Sequence, residues 1–114
     1  MSYGNKLDLC INQGATFTQQ LTIKASNGAN ISGIATGELR SQIRVDYNSV
    51  SVTASFTFEW VDHSNGVVNM ILPATTSATV AAGNYVYDVE LYLLDGTVYR
   101  VMEGKIKVRP EVTK

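Results

Sequence analysis

At 114 residues the chain has room for one domain. Its net charge of −1, from 9 basic and 10 acidic residues, leaves no basic field of the kind that displaces counterions from nucleic acid. Apolar residues make up 45%, enough for a core without metals, and the single cysteine, Cys10, excludes an intrachain disulfide. No apolar run reaches the ~20 residues of a membrane helix, and residues 1–6 lack the apolar stretch of a signal peptide. The expectation is a soluble, cytoplasmically made domain with neither membrane nor nucleic acid among its partners.

Period-2 alternation dominates the chain, which predicts strands throughout. Leu7, Leu9 and Ile11 mark a first strand behind a short polar arm, Met1 to Lys6. Phe17, Leu21 and Ile23 mark a second, ending at the turn Ser26-Asn27-Gly28. Residues 25–37, rich in Gly, Ser, Asn and Ala, read as the longest loop, pinned to the core by Ile31 and Ile34. Leu39, Ser41, Ile43 and Val45 face inward from a third strand whose polar face carries Glu38, Arg40, Gln42 and Arg44. Val52, Ala54, Phe56, Phe58 and Trp60 line one face of a fourth.

A five-residue loop, Asp62 to Gly66, then sets Trp60 opposite Val68, Phe58 opposite Met70 and Phe56 opposite Leu72, because a one-residue slip would invert the fifth strand. Pro73 closes that strand, and residues 74–82 cross over with a helical turn. Asp95-Gly96 predicts a two-residue type I′ hairpin joining the last two strands. Counting outward pairs Leu93 with Val98, Leu91 with Arg100, Val89 with Met102, Tyr87 with Gly104 and Tyr85 with Ile106; the other face sets Tyr92 against Tyr99 and Asp88 against Glu103. Seven strands with one crossover predict an all-β, Greek-key β-sandwich spanning residues 1–114, with short N- and C-terminal arms. Tyr85, after Gly83-Asn84, fits a tyrosine corner whose hydroxyl bonds back to the crossover backbone.

Little chemistry is visible. Asp62-His63-Ser64 contains the residue types of a hydrolytic triad, but adjacent residues on a hairpin tip cannot converge on one reacting atom. His63 is the only histidine, so a metal site would need Cys10 and distant carboxylates. The expectation is therefore no catalytic, metal or cofactor-binding residues. Asp88 opposite Glu103 needs a compensating cation, and Arg40 and Arg44 on the neighbouring strand are the candidates. That charged face reads either as a self-neutralising surface in solvent or, with Tyr92 and Tyr99 as anchors, as a docking surface of Arg40, Arg44, Asp88, Tyr92, Tyr99 and Glu103, and Pro110, Glu111 and Val112 either as a frayed end or as a terminal contact. A glycan-binding reading would instead use Tyr3, Tyr47 and Tyr92, which lie scattered in the sequence.

Several segments resemble, in order and nearly end to end, the small immunoglobulin-like structural proteins of tailed bacteriophages. These are Gln13-Gly14-Ala15-Thr16-Phe17, Gln42-Ile43-Arg44, Gly83 to Leu91, Asp95-Gly96-Thr97-Val98-Tyr99-Arg100, Glu103-Gly104-Lys105 and Pro110-Glu111-Val112-Thr113. Ile31-Ser32-Gly33-Ile34 departs from that group's "L-T-G-Y" turn. The resemblance implies a seven-stranded immunoglobulin-like sandwich similar to the N-terminal domains of upper baseplate proteins. It further implies a non-enzymatic virion component of tail, baseplate or neck, or a capsid decoration protein, forming homo-oligomers and contacting other virion structural proteins.

Overall fold

The computed structural model describes residues 2–24, 28–31 and 33–112, with the side chains of 2–5 and 35 excepted. In chain order they form β1 (Ser2–Lys6), β2 (Leu9–Asn12), β3 (Phe17–Thr22), a 3₁₀ turn (Ile34–Thr36), β4 (Glu38–Arg44), β5 (Ala54–Ser55) and β6 (Thr57–Asp62). After them come β7 (Val67–Leu72), the one-turn helix α1 (Ala74–Ser77), β8 (Gly83–Tyr92) and β9 (Val98–Arg109). The larger sheet runs β1-β9-β8-β4-β5, with β2 also on β9; the smaller runs β3-β7-β6. Period-2 burial makes an all-β sandwich of them: Leu39, Ile43, Tyr87, Val89 and Leu91 from one sheet meet Leu21, Val68, Met70 and Leu72 from the other. Ile31 and Ile34 are buried, so the long loop is pinned as expected; Ser26, Asn27 and Ser32 lie outside the described residues.

The fourth expected strand is divided in two and the expected arm forms a strand of its own, which makes nine segments among the described residues. β1 and β2 are separated at Leu7–Asp8. Leu7 turns its carbonyl to the Tyr87 hydroxyl, 2.5 Å away, and Asp8 accepts the Lys105 N–H on its carboxylate at 3.0 Å. Residues 2–6, expected as an arm, run parallel along β9 instead.

The fourth strand changes sheets. Ala54 pairs with Ile43 in the large sheet, Phe58 with Met70 in the small one, and buried Phe56 sits between them with its N–H on Ser41 O at 3.0 Å. Alternation runs unbroken through such a switch, so the sequence pattern cannot report it. Trp60 opposite Val68 and Phe58 opposite Met70 follow the expected register, and the ladder ends at Thr57–Ile71, one residue short of setting Phe56 opposite Leu72. A shift at Val61 sets Asp62 against Val67, which shortens the loop to residues 63–66. Val45, the expected last inward residue of the third strand, lies beyond β4 and is exposed, as is Val52.

The last hairpin differs at its tip. Leu93 O accepts the Gly96 N–H at 3.0 Å, and Thr97 O accepts the Leu93 N–H at 2.9 Å. Gly96 has φ 92, so the connection is a three-residue turn ending in a left-handed glycine rather than a type I′ pair. Leu91 therefore faces Tyr99 and Glu90 faces Arg100. A bulge at Val101 restores the expected register from Val89–Met102 through Tyr87–Gly104 to Tyr85–Ile106. The bulge buries Val101 and leaves Arg100 on the outer face, removing the one charge that the simple register left in the core.

Candidate docking face

β4, β8 and β9 lie side by side, so their outward residues form rows across the large sheet: Arg40–Glu90–Arg100 in one, Gln42–Asp88–Glu103 in the next. Arg100 leans onto the second row. Its Nε is 3.4 Å from Asp88 Oδ2, and its Nη1 is 3.7 Å from Glu103 Oε2. This is the cation that the Asp88–Glu103 opposition requires. Arg40 and Arg44, the candidates the sequence offers, are engaged elsewhere. The signal for Arg100 was its awkward place on an otherwise apolar face, and only a bulge resolves it. Burial, with Glu90 and Glu103 adding, pushes the Asp88 carboxyl above its usual value, while Arg100 and Arg44 pull the other way.

Arg40 instead sits over the Tyr92 ring at 4.3 Å from its centroid, held by two 3.3 Å hydrogen bonds to Glu38. Tyr92 donates its hydroxyl to Glu90 at 3.2 Å, and burial pushes that phenol upward. Arg44 donates to Gln42 Oε1 at 2.7 Å and to Ser49 O at 2.8 Å. Two adjoining hollows of about 240 and 100 Å³ lie here and share Gln42, Asp88 and Glu90. Tyr47 lines the first and Tyr92 the second, so two tyrosines that the sequence scattered meet on one face. The side chain of Tyr3 lies outside the described residues.

The face thus gathers Arg40, Arg44, Asp88, Tyr92 and Glu103. Tyr99 leaves it: the tip register turns its ring inward beside Leu91, where it packs against the core. Pro110, Glu111 and Val112 lie past the end of β9, about 20 Å along the strand from Glu103 at the usual rise per residue. There the chain is clasped. Glu111 N–H donates to Gln13 Oε1 at 3.1 Å, and Gln13 Nε2 donates to Val80 O at 2.9 Å. Ser77 Oγ accepts the Gly14 N–H at 3.1 Å and donates to Ala15 O at 2.8 Å. Gly14 has φ 84, and a Cβ there would fall 2.2 Å from Glu111 Oε2. Beside the clasp Tyr85 donates its hydroxyl to Ala81 O at 2.6 Å, the bond expected of the corner.

The hairpin-tip residues do not converge. Asp62 accepts from Asn65 Nδ2 at 2.7 Å, which holds its carboxyl below the usual range, while His63 leans against Trp60 with ring centroids 4.7 Å apart and planes tilted by 49°. Cys10 is exposed on β2. Among the described residues no three His, Cys, Asp or Glu side chains are grouped to hold a metal ion, and no helix is long and apolar enough to cross a membrane.

No family model matches this chain, and neither does any curated protein. Among solved structures it is similar to CopC from Methylosinus trichosporium OB3b, with a TM-score of 0.41 and 13% identity. The match covers 67% of this chain and 66% of that one, a little under two thirds of its length. A likeness of that extent carries no functional argument.

Proposed function

We propose that the chain is a non-enzymatic structural protein of a tailed-phage virion, a tail, baseplate or neck component that docks on neighbouring virion proteins through the outer face of its large sheet. The Arg40–Tyr92 plate beside the Asp88–Arg100–Glu103 cluster carries this reading. Both are preformed on an open surface of the residue types that anchor interfaces. Asp88, half-buried and crowded by two carboxylates, gains from any further cation a partner brings. Repetition by symmetry turns such modest contacts into a fixed assembly.

The immunoglobulin-like, Greek-key form of the sandwich belongs to the same proposal. Joining β1 to β2 and β5 to β6 leaves seven strands, and the sheet order with a tyrosine corner opening β8 supports it. The segments shared with the phage group fall largely on joints: Gln13-Gly14-Ala15 and Glu111 in the clasp, Tyr85 at the corner, Asp95-Gly96 at the turn. They account for a common scaffold. The docking residues must account for the partner.

Immunogold labelling of disrupted virions from a lysate carrying this gene tests the reading. Label at the tail tip or neck supports it, label over the head moves the chain to the capsid decoration alternative, and particles without label overturn it. The convergence of Tyr47 and Tyr92 favours a second reading, binding of a surface glycan, since aromatic platforms beside amides and carboxylates suit polyols. A glycan array with no bound sugar removes it.

A further inference from the structure

Two stacked sheets expose four edges, and three of those here carry a device that discourages strand pairing. The β1/β2 edge is interrupted at residues 7–8, has a register break between Ser2 and Asn5, and presents Lys6 and Asp8. β5 is two residues long. β6 has a register shift at Val61 and carries Glu59 and Asp62. β3 has none of these. Its sequence, Phe17-Thr18-Gln19-Gln20-Leu21-Thr22, holds no charge, no proline and no bulge, and it pairs in unbroken register with β7 on its other side.

The open side of β3 is defined by its ladder. Ile23 N–H donates to Gly66 O at 2.8 Å, in the same register that sets Leu21 against Val68, Gln19 against Met70 and Phe17 against Leu72. Hydrogen-bonded and non-bonded pairs alternate in an antiparallel ladder. Phe17, Gln19 and Leu21 therefore bond to β7, and Thr18, Gln20 and Thr22 turn their backbone groups to the open edge. The Gln20 carbonyl accepts from the Gln19 side-chain amide at 3.1 Å, as an edge carbonyl outside the ladder is free to do.

We propose that β3 pairs antiparallel with β3 of a second copy across a two-fold axis through Gln20. Pairing must keep both buried faces on one side, so even-numbered residues oppose even-numbered ones. The register centred on Gln20 sets it against itself and Thr18 against Thr22, and every outward N–H meets an outward C=O. A two-fold axis faces the residue on it with its own mate, where a Lys or Glu would repel itself. Gln20 carries an amide that both donates and accepts, so it complements itself. The two smaller sheets fuse into one continuous sheet. The Arg40–Tyr92 face lies on the other sheet and stays open in the dimer, so this pairing does not rest on the docking proposal.

Sedimentation of the full chain over roughly 10 µM to 1 mM tests it. Wild type should show a monomer–dimer equilibrium. Gln20→Pro should be monomeric, since it removes an N–H on the axis that the monomer does not use, and edge strands tolerate proline there. Gln20→Lys, which leaves the backbone intact, should weaken dimerisation about fivefold at low salt and less at high salt. Cys10→Ser/Gln20→Cys should oxidise to a covalent dimer, and Cys10→Ser/Ser51→Cys should not. A wild type monomeric throughout, or a dimer indifferent to Gln20→Lys in folded protein, overturns the proposal.

Discussion

At the clasp, Ser77 is fully buried, its hydroxyl accepts from Gly14 and donates to Ala15, and Gln13 joins the crossover to the C-terminal segment. On the outer face of the large sheet, Asp88 is crowded by like charge, Arg40 lies over a tyrosine, and the ion pairs are exposed. The first region is arranged for the chain's own stability. The second keeps its strongest groups turned outward at no great benefit to the fold, since exposed ion pairs contribute between zero and about 1 kcal/mol. Damage at the joints should therefore unfold the protein, and damage on the face should leave it folded and isolated.

The largest effect is expected at Gly104. A Cβ there would lie 2.1 Å from the Leu7 carbonyl oxygen, which belongs to backbone held by Tyr87. Gly104→Ala should cost about 3 kcal/mol in chemical denaturation, because β9 or the Leu7 backbone must shift. Ser77→Ala should cost about 1 kcal/mol by the same measurement, since the buried hydroxyl's bonds to Gly14 and Ala15 are lost.

Tyr87 makes the stability of the joints depend on pH. Burial, with Asp8 adding, pushes its phenol from 10.0 to about 12. The folded state then keeps the proton after the unfolded chain has lost it. The stabilisation is complete below pH 10 and falls away as pH rises toward 12. Tyr87→Phe should be less stable than wild type by about 1 kcal/mol at pH 7, through the lost bond to Leu7. Above pH 10 the difference should shrink and reverse in thermal melts; a constant gap would contradict the buried phenol.

Substitutions on the face should have the smallest effects on stability. Arg40→Ala should change it by under about 0.5 kcal/mol. Because the Asp88 carboxyl is raised, its ionised form is a cost to the fold at neutral pH. Asp88→Asn should therefore gain on wild type between acid and neutral pH, the gain vanishing below the usual carboxyl value of 3.8, where both side chains are neutral.

Much of this contrast could be read from sequence because it rests on alternation and turn chemistry. The Trp60–Val68 register follows from residue parity and the Tyr85 corner from its place after the crossover, whereas the pairing of Tyr87 with Gly104 holds only because the three-residue turn and the Val101 bulge offset one another. What escaped has a common cause. The Val101 bulge, the sheet switch at Phe56 and the break at Leu7–Asp8 are irregularities of one or two residues that preserve local hydrophobicity while redirecting side chains. The bulge moved Arg100 onto the face, and the tip register moved Tyr99 off it. The clasp escaped for a different reason: Gln13, Ser77 and Glu111 lie far apart in sequence and are polar, and no periodicity links them.

The most direct test is incorporation into virions. Asp88→Lys/Glu103→Lys, supplied in place of the wild-type chain, replaces two carboxylates of the face and touches nothing in the clasp. The expected result is a protein that is folded by circular dichroism and missing from purified particles. Particles carrying the doubly substituted chain at the wild-type copy number would contradict it.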